Sequence, residues 1–202
     1  MSEVYVVAYI EALAARSDAA ADVIRHHAAV CAQELGEVGF RALARVNHPG
    51  HFALLETWSG EAARLAHISS SHVSEFRNGL EPLLAAPYDE RVHSPLSITG
   101  HSGKSGDFTY VITHIDVTPP NTGEGAALVS AHCEATRSED GNAGCVAFSQ
   151  SGRPNHMSLL EIWENAGARQ AHTGRDATIA FRRAIAPLSG ALYDERVYEG
   201  LT

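Results

Sequence analysis

Cysteine is scarce in this sequence and poorly arranged for chemistry. Cys31, Cys133 and Cys145 make an odd number, and no two of them form a CxxC motif. Neither a disulfide framework nor a paired-cysteine redox or zinc motif is therefore expected. Free, mostly buried thiols acting as small hydrophobes are the plainer reading. Positive charge is short as well: 15 Lys and Arg face 24 Asp and Glu, for a formal charge of −9, and no basic cluster interrupts that balance. Such a surface repels a phosphate backbone and anionic lipid, which argues against nucleic acid and membrane partners. Long apolar runs are missing too. Val4 to Ile10 is too short to cross a bilayer, and Met1-Ser2-Glu3 lacks the basic start of a signal peptide, so a cytoplasmic location is expected. With 45% hydrophobic and 19% charged residues, the chain has the balance of a folded globular protein.

What is present is a repeat. Tyr88-Asp89-Glu90-Arg91-Val92 returns as Tyr193-Asp194-Glu195-Arg196-Val197, an offset of 193 − 88 = 105. The same offset, without a gap, pairs His27 with His132, His51 with His156, Glu56 with Glu161, Trp58 with Trp163, His67 with His172 and Pro82 with Pro187. Roughly 30 of about 94 superposed positions are identical, against about one in twenty for unrelated residues, so the chain is read as a tandem duplication. It implies two domains, residues 1–96 and 108–202, each large enough for a modest core. Residues 97–107, SITGHSGKSGD, read as a flexible Gly/Ser linker. Within it Gly103-Lys104-Ser105 resembles the end of a phosphate-binding loop, but Ile98 stands where that loop needs its first glycine, so no nucleotide site is expected.

The order of elements is legible in both copies. Val4 to Ile10 is rich in β-branched and aromatic residues and reads as a strand whose two faces are both largely apolar, as in a strand covered on both sides. Ser17 or Asp18 can cap a following helix, whose inner face carries Ile24, His27, Ala28, Cys31 and Leu35 before Gly36. The second copy offers Leu128, His132, Ala135 and Glu139 before Gly141. Phe40 to Val46 and Phe52 to Trp58 form a hairpin around Asn47-His48-Pro49-Gly50, matched by Cys145 to Ser151 and Met157 to Trp163 around Gly152-Arg153-Pro154-Asn155. A helical stretch from Gly60 breaks near Ser69-Ser70-Ser71 and resumes through Phe76 and Leu80 towards Pro82. Tyr88 to Val92 closes the unit as a strand. Each copy is thus β-α-β-β-α-β, the ferredoxin-like order of an α+β protein.

Leu54-Leu55-Glu56-x-Trp58, then Ala63-Arg64-x-Ala66-His67, His72 and Phe76, resembles the antibiotic biosynthesis monooxygenase family. Leu159-Leu160-Glu161-x-Trp163, Ala168-Arg169-x-Ala171-His172 and Phe181 repeat the pattern. The resemblance implies two ferredoxin-like repeats packing sheet to sheet as a dimeric α+β barrel, a barrel that a tandem chain can build from its own halves or exchange with a second chain. It also implies a site between the sheet and the helices of each unit. Activities known in the family include oxygen insertion into quinols and aromatic polyketide intermediates without metal or flavin, haem degradation, and isomerisation of small signalling sugars. Haem-degrading relatives place an asparagine near Ala8 and Thr113, and neither copy has one.

The leading expectation is a cofactor-independent monooxygenase for a quinol or aromatic polyketide-like molecule. His67 and His172 match the family histidine and are the candidate bases, able to take a phenol proton near neutral pH. Trp58 and Trp163 match a family position that lines the pocket, and a planar aromatic substrate packs well on such a ring. His27 and His132, on the inner face of the first helix, are candidate substrate contacts. Glu56 and Glu161 share the tryptophans' strand face and, if buried, need partners; Arg64, Arg91, Arg169 and Arg196 are the candidates. His26-His27 and His67 with His72 lack the i, i+4 and carboxylate pattern of a helical zinc site, so no metal is expected. The alternative is a non-catalytic module of the same fold, binding a small apolar ligand or associated with stress. Either way the partner is a small aromatic or apolar molecule, and a homodimer is compatible with both.

Overall fold

The computed structural model describes residues 3–97 and 107–201. The linker motif Gly103-Lys104-Ser105 lies outside the described residues. The chain divides into two compact units, Met1–His93 with Glu199–Thr202, and Ser94–Tyr198.

In the first unit the sheet order is β4(Asp89–Ser97)-β1(Val4–Glu11)-β3(His51–Trp58)-β2(Glu37–Arg45). All three pairings are antiparallel. Helices α1(Ser17–Cys31), α2(Glu61–Ile68) and α3(Ser71–Leu80) complete it. Tyr5 to Ile10 are all buried, as two apolar faces require. Ala8, Ile10, Phe52 and Leu54 meet Ile24 of α1 and Phe76 and Leu80 of α3 in one core cluster. The second unit repeats this with β8(Asp194–Gly200)-β5(Thr109–Asp116)-β7(Arg153–Trp163)-β6(Asn142–Gln150) and helices α4(Thr122–Thr136), α5(Ala166–Thr173) and α6(Asp176–Ile185). Its core joins Ile115, Val129, Leu159, Phe181 and Ile185. Each repeat has the ferredoxin-like β-α-β-β-α-β order. Among the described residues no helix is long and apolar enough to cross a membrane.

Several local expectations are corrected. Neither Ser17 nor Asp18 caps α1: a short 3-10 turn, Ala14–Arg16, runs into the helix, and Arg16 holds the cap position without a side-chain bond. The helix ends at Cys31, so Leu35 leaves its inner face and is 97% exposed. In α4 the buried face is Gly125, Val129, His132, Cys133 and Thr136, and Ala135 is outside it. The second hairpin turns more tightly than its composition suggests, since β7 already starts at Arg153, with Gly152 at φ 79°. Ser70 does end the break between α2 and α3, its hydroxyl accepting from the Val73 amide. The closing strand is longer than Tyr88 to Val92, because it continues to Ser97, where the chain has already entered the second unit and the Ser97 carbonyl accepts from Arg137 at 2.8 Å.

A matched pair of glycines fixes the loop after the first helix of each repeat. Gly36 and its counterpart Gly141 adopt φ 87° and 76°, a region L side chains rarely enter. A Cβ there would stand 2.7 Å from Ala63 Cβ and 2.5 Å from Ala168 Cβ, respectively. Their carbonyls accept from the amides of Ser59 and Glu164, both at 2.9 Å. The loop is thereby pressed against the start of the second helix, two residues past Glu34 and Glu139.

Candidate functional site

Each repeat holds one buried histidine between carboxylates contributed by distant elements. His67, at the end of α2, is 4% exposed. Its Nδ1 lies 2.6 Å from Glu34 Oε2 and its Nε2 lies 3.9 Å from Glu56 Oε2. Glu56, on β3, accepts the Trp58 indole N–H at 2.9 Å. The Trp58 and His67 rings lie 4.4 Å apart. Period two on the strand puts Glu56 and Trp58 on one face, and the loop pinned by Gly36 brings in Glu34.

The second repeat is built alike and differs in three contacts. His172 Nδ1 is 2.9 Å from Glu139 Oε2, and its Nε2 is 3.1 Å from Glu161 Oε1. Trp163 is fully buried beside His172, with ring centroids 4.8 Å apart, but its indole nitrogen has no acceptor among the described residues. Glu34 takes a second histidine, His72 Nε2 at 2.9 Å, where Glu139 takes Arg175 Nε, also at 2.9 Å. Ala177 occupies the place of His72, and the arginine two residues before it bonds Glu139 instead.

The expected arginine partners of Glu56 and Glu161 are corrected: histidine fills that place. Arg64 pairs with Glu61 and Glu90, Arg91 with Asp89, Arg169 with Glu195, and Arg196 with Asp194. Arg77 bonds Glu90 and lies 3.3 Å over the Tyr88 ring. Arg182 and Glu195 repeat that pair at 2.8 Å. Glu34 and Glu139 were missed by sequence reasoning. Their identity under the 105-residue offset, two residues before a matched glycine, was the available signal.

His27 and His132 stack on Phe76 and Phe181, at 3.9 Å and 5°, and at 4.1 Å and 3°. His27 and His67 both line a narrow cavity of about 10 Å³ with Glu56, Phe76 and Tyr88, room for about one water. Trp58 is no part of its lining, so the tryptophan braces the histidine. Outside it lies an open vestibule of about 430 Å³, sharing Ile68, Val73, Arg77 and Glu90 with the narrow cavity.

Burial and charge separate the two histidines. Burial pulls His67 below its ordinary value, and Glu34 only partly opposes this. For His172 burial acts the same way, but Glu161 and Glu139 together outweigh it and raise the ring. Glu34 is held below the usual carboxylate range: its partial burial raises it, but the hydrogen bonds from His72 and His67 prevail. Burial lifts Glu56 to about 7 against the bond from Trp58. The stacked histidines are lowered furthest, His27 to about 3 and His132 to about 4, chiefly by burial and then by the neighbouring histidine.

That last pair makes acid costly. An unfolded imidazole binds its proton near pH 6.5, whereas in the fold His27 and His132 wait until about 3 and 4. Between those values the unfolded chain holds more protons, so the contribution is complete above pH 6.5 and is lost on acidification, by up to about 1.4 kcal/mol per pH unit for each ring. Glu56 works oppositely between about 4.5 and 7, where the fold keeps a proton the unfolded chain lacks. Urea titrations at pH 7 and pH 5 are expected to show a smaller acid loss for the His27→Gln, His132→Gln double variant than for the parent. Equal losses would remove the stacked rings as its cause.

The model of the antibiotic biosynthesis monooxygenase family matches residues 3–79 and again residues 109–184. None of the curated proteins matches the sequence. Among solved structures, a candidate monooxygenase from Fusobacterium nucleatum subsp. nucleatum ATCC 25586 has a TM-score of 0.85 at 14% identity, covering 100% of this chain and 93% of its own. One from Lactobacillus acidophilus NCFM has 0.81 at 13%, covering 100% and 95%. An anthrone oxidase-like protein has 0.75 at 11%, covering 99% and 92%. At such identities the likeness is one of fold.

Proposed function

Because the chain belongs to the antibiotic biosynthesis monooxygenase family, we propose that it is a cofactor-independent monooxygenase for a quinol or aromatic polyketide-like phenol, working through His67. The observation that carries this reading is a buried, neutral-leaning histidine held at Nδ1 by Glu34 beside a cavity. A carboxylate at Nδ1 assigns the ring proton to that nitrogen, leaving Nε2 as the base.

In this reading the substrate ring docks in the vestibule, since a chamber of about 10 Å³ admits only a hydroxyl. His67 Nε2 takes the hydroxyl proton, and Glu34 stabilises the imidazolium. The phenolate is electron-rich enough to react with oxygen. One oxygen atom enters the ring, and the other leaves as water with two electrons and two protons from the substrate. His27 forms a neutral aromatic wall, and Trp58 fixes Glu56 and His67. His172 and Trp163, with His132, are proposed to keep the family's arrangement as a charged structural core.

Oxygen consumption with a panel of quinols and anthrones tests this, with product measured by mass spectrometry under isotopic oxygen. One labelled atom per product is expected. No uptake with any phenol, together with thermal stabilisation by small apolar molecules, would favour the second reading, a non-catalytic binding module. The size of the inner chamber, too small for an aromatic ring, is the observation on that side.

A further inference from the structure

A second cluster lies on the other side of His27 and uses none of the groups assigned to proton transfer as its donors. His27 and Cys31 are four residues apart on the last turns of α1, so they share a face. The nitrogen-bearing edge of His27 faces the sulfur: Nε2 and Nδ1 are 3.4 and 3.7 Å from Cys31 Sγ. Stacking on Phe76 holds the ring in that plane. His72, at the start of α3, completes a set whose ligand atoms all lie within 4.8 Å of one another.

We propose that His27, Cys31 and His72 form a binding site for a zinc-class divalent cation, joining α1 to α3, with Glu34 orienting His72. Three independent features point this way. First, two imidazoles and a sulfur are a donor set suited to zinc, whose Zn–S and Zn–N lengths of about 2.3 and 2.0–2.1 Å put neighbouring donors roughly 3.5 Å apart. The 3.4 Å between Sγ and Nε2 already matches. Second, His72 Nδ1 is buried and has no hydrogen-bond partner among the described residues, while its Nε2 is held by Glu34 at 2.9 Å. A carboxylate on one imidazole nitrogen with the other left over is how a metal-binding histidine is usually oriented. Third, an access route exists: a groove of about 360 Å³ between α1 and α3 is lined by both His27 and His72, with Asp22 and Glu75 at its walls.

The second repeat is an internal control. Thr136 and Ala177 stand where the first repeat has Cys31 and His72. Its own cluster, His132, Glu161 and His172, has both nitrogens of His172 already engaged by carboxylates. The expected count is therefore one site per chain. Cys31, rather than a second histidine, is the i+4 partner of His27.

Zinc titration of the full chain, stripped with chelator and kept reduced, is expected to give one tight equivalent by calorimetry. Cobalt in its place should produce the near-ultraviolet absorption of a thiolate–cobalt bond. Cys31→Thr with His72→Ala installs the residues of the second repeat and should weaken binding on the order of 100-fold or more and abolish that absorption; Glu34→Gln should weaken it roughly 10- to 100-fold. His72→Ala alone serves if the double variant fails to fold by circular dichroism. Absence of a zinc equivalent, undiminished binding by the variants, or a cobalt complex without the thiolate absorption overturns the assignment. No substrate is present in these measurements, so the oxygenase reading can fail while this one stands, and the reverse.

Discussion

His67→Ala is expected to lower the rate of oxygen uptake by about 10²- to 10⁴-fold, the usual worth of a positioned general base, while His172→Gln leaves the rate per folded molecule within about tenfold. The asymmetry comes from charge. His67 has one close carboxylate and titrates below its ordinary value, so it is a free base at neutral pH. His172 lies between carboxylates at both nitrogens and is raised above its ordinary value, so it holds a proton more tightly than His67 and is the poorer base. The pH profile gives an independent reading. A base at His67 keeps kcat/KM level from pH 8 down to about 6.5 and loses it below, as the ring protonates; a base at His172 would put the fall above 6.5. Equal losses from both variants, or an acid limb above 6.5, would sink the assignment to the first repeat. His172→Gln should show its cost in stability instead, because Glu139 and Glu161 lose the group between them, a change worth about 3–5 kcal/mol for a broken buried pair.

The two tryptophans should separate just as clearly. Trp58→Ala removes a fully buried side chain and is expected to cost about 3–5 kcal/mol in urea unfolding. Phenylalanine is the sharper probe, since both Trp58→Phe and Trp163→Phe lose the same indole volume. Trp58 also donates to a buried carboxylate at 2.9 Å, whereas Trp163 donates to nothing among the described residues. A hydrogen bond to a charged group is worth about 1.5–3 kcal/mol, so Trp58→Phe should be the costlier by that margin at pH 8, where Glu56 is ionised. The Glu56 carboxyl, followed by carbon NMR, should titrate above 7 once the indole bond is gone. Equal costs and an unmoved carboxyl would mean that the bond contributes nothing.

Much of this was legible because the sequence is written twice. Among the positions kept under the 105-residue offset, His27, Glu56, Trp58, His67 and Phe76 are buried at the site. Composition carried the hairpins and the break before Ser71. The helix caps and the second turn were misread, since a 3-10 lead-in or a two-residue turn depends on how the flanking elements meet. The partner of His67 was not legible either. Glu34 lies 33 residues away in a loop, and no periodicity links a loop carboxylate to a helical histidine.

The sequence by itself determined a duplicated β-α-β-β-α-β unit and the family it belongs to, because strand and helix periods and a repeated string are local properties of the chain. Only the tertiary structure decided what each repeated side chain does. It put histidine in place of arginine beside Glu56, packed Trp58 and Trp163 fully buried against His67 and His172, and set Cys31 against His27. It also gave two matched histidines opposite tendencies towards a proton. A pKa and a partner are fixed by distance and burial, and those are set only when remote segments close on one another.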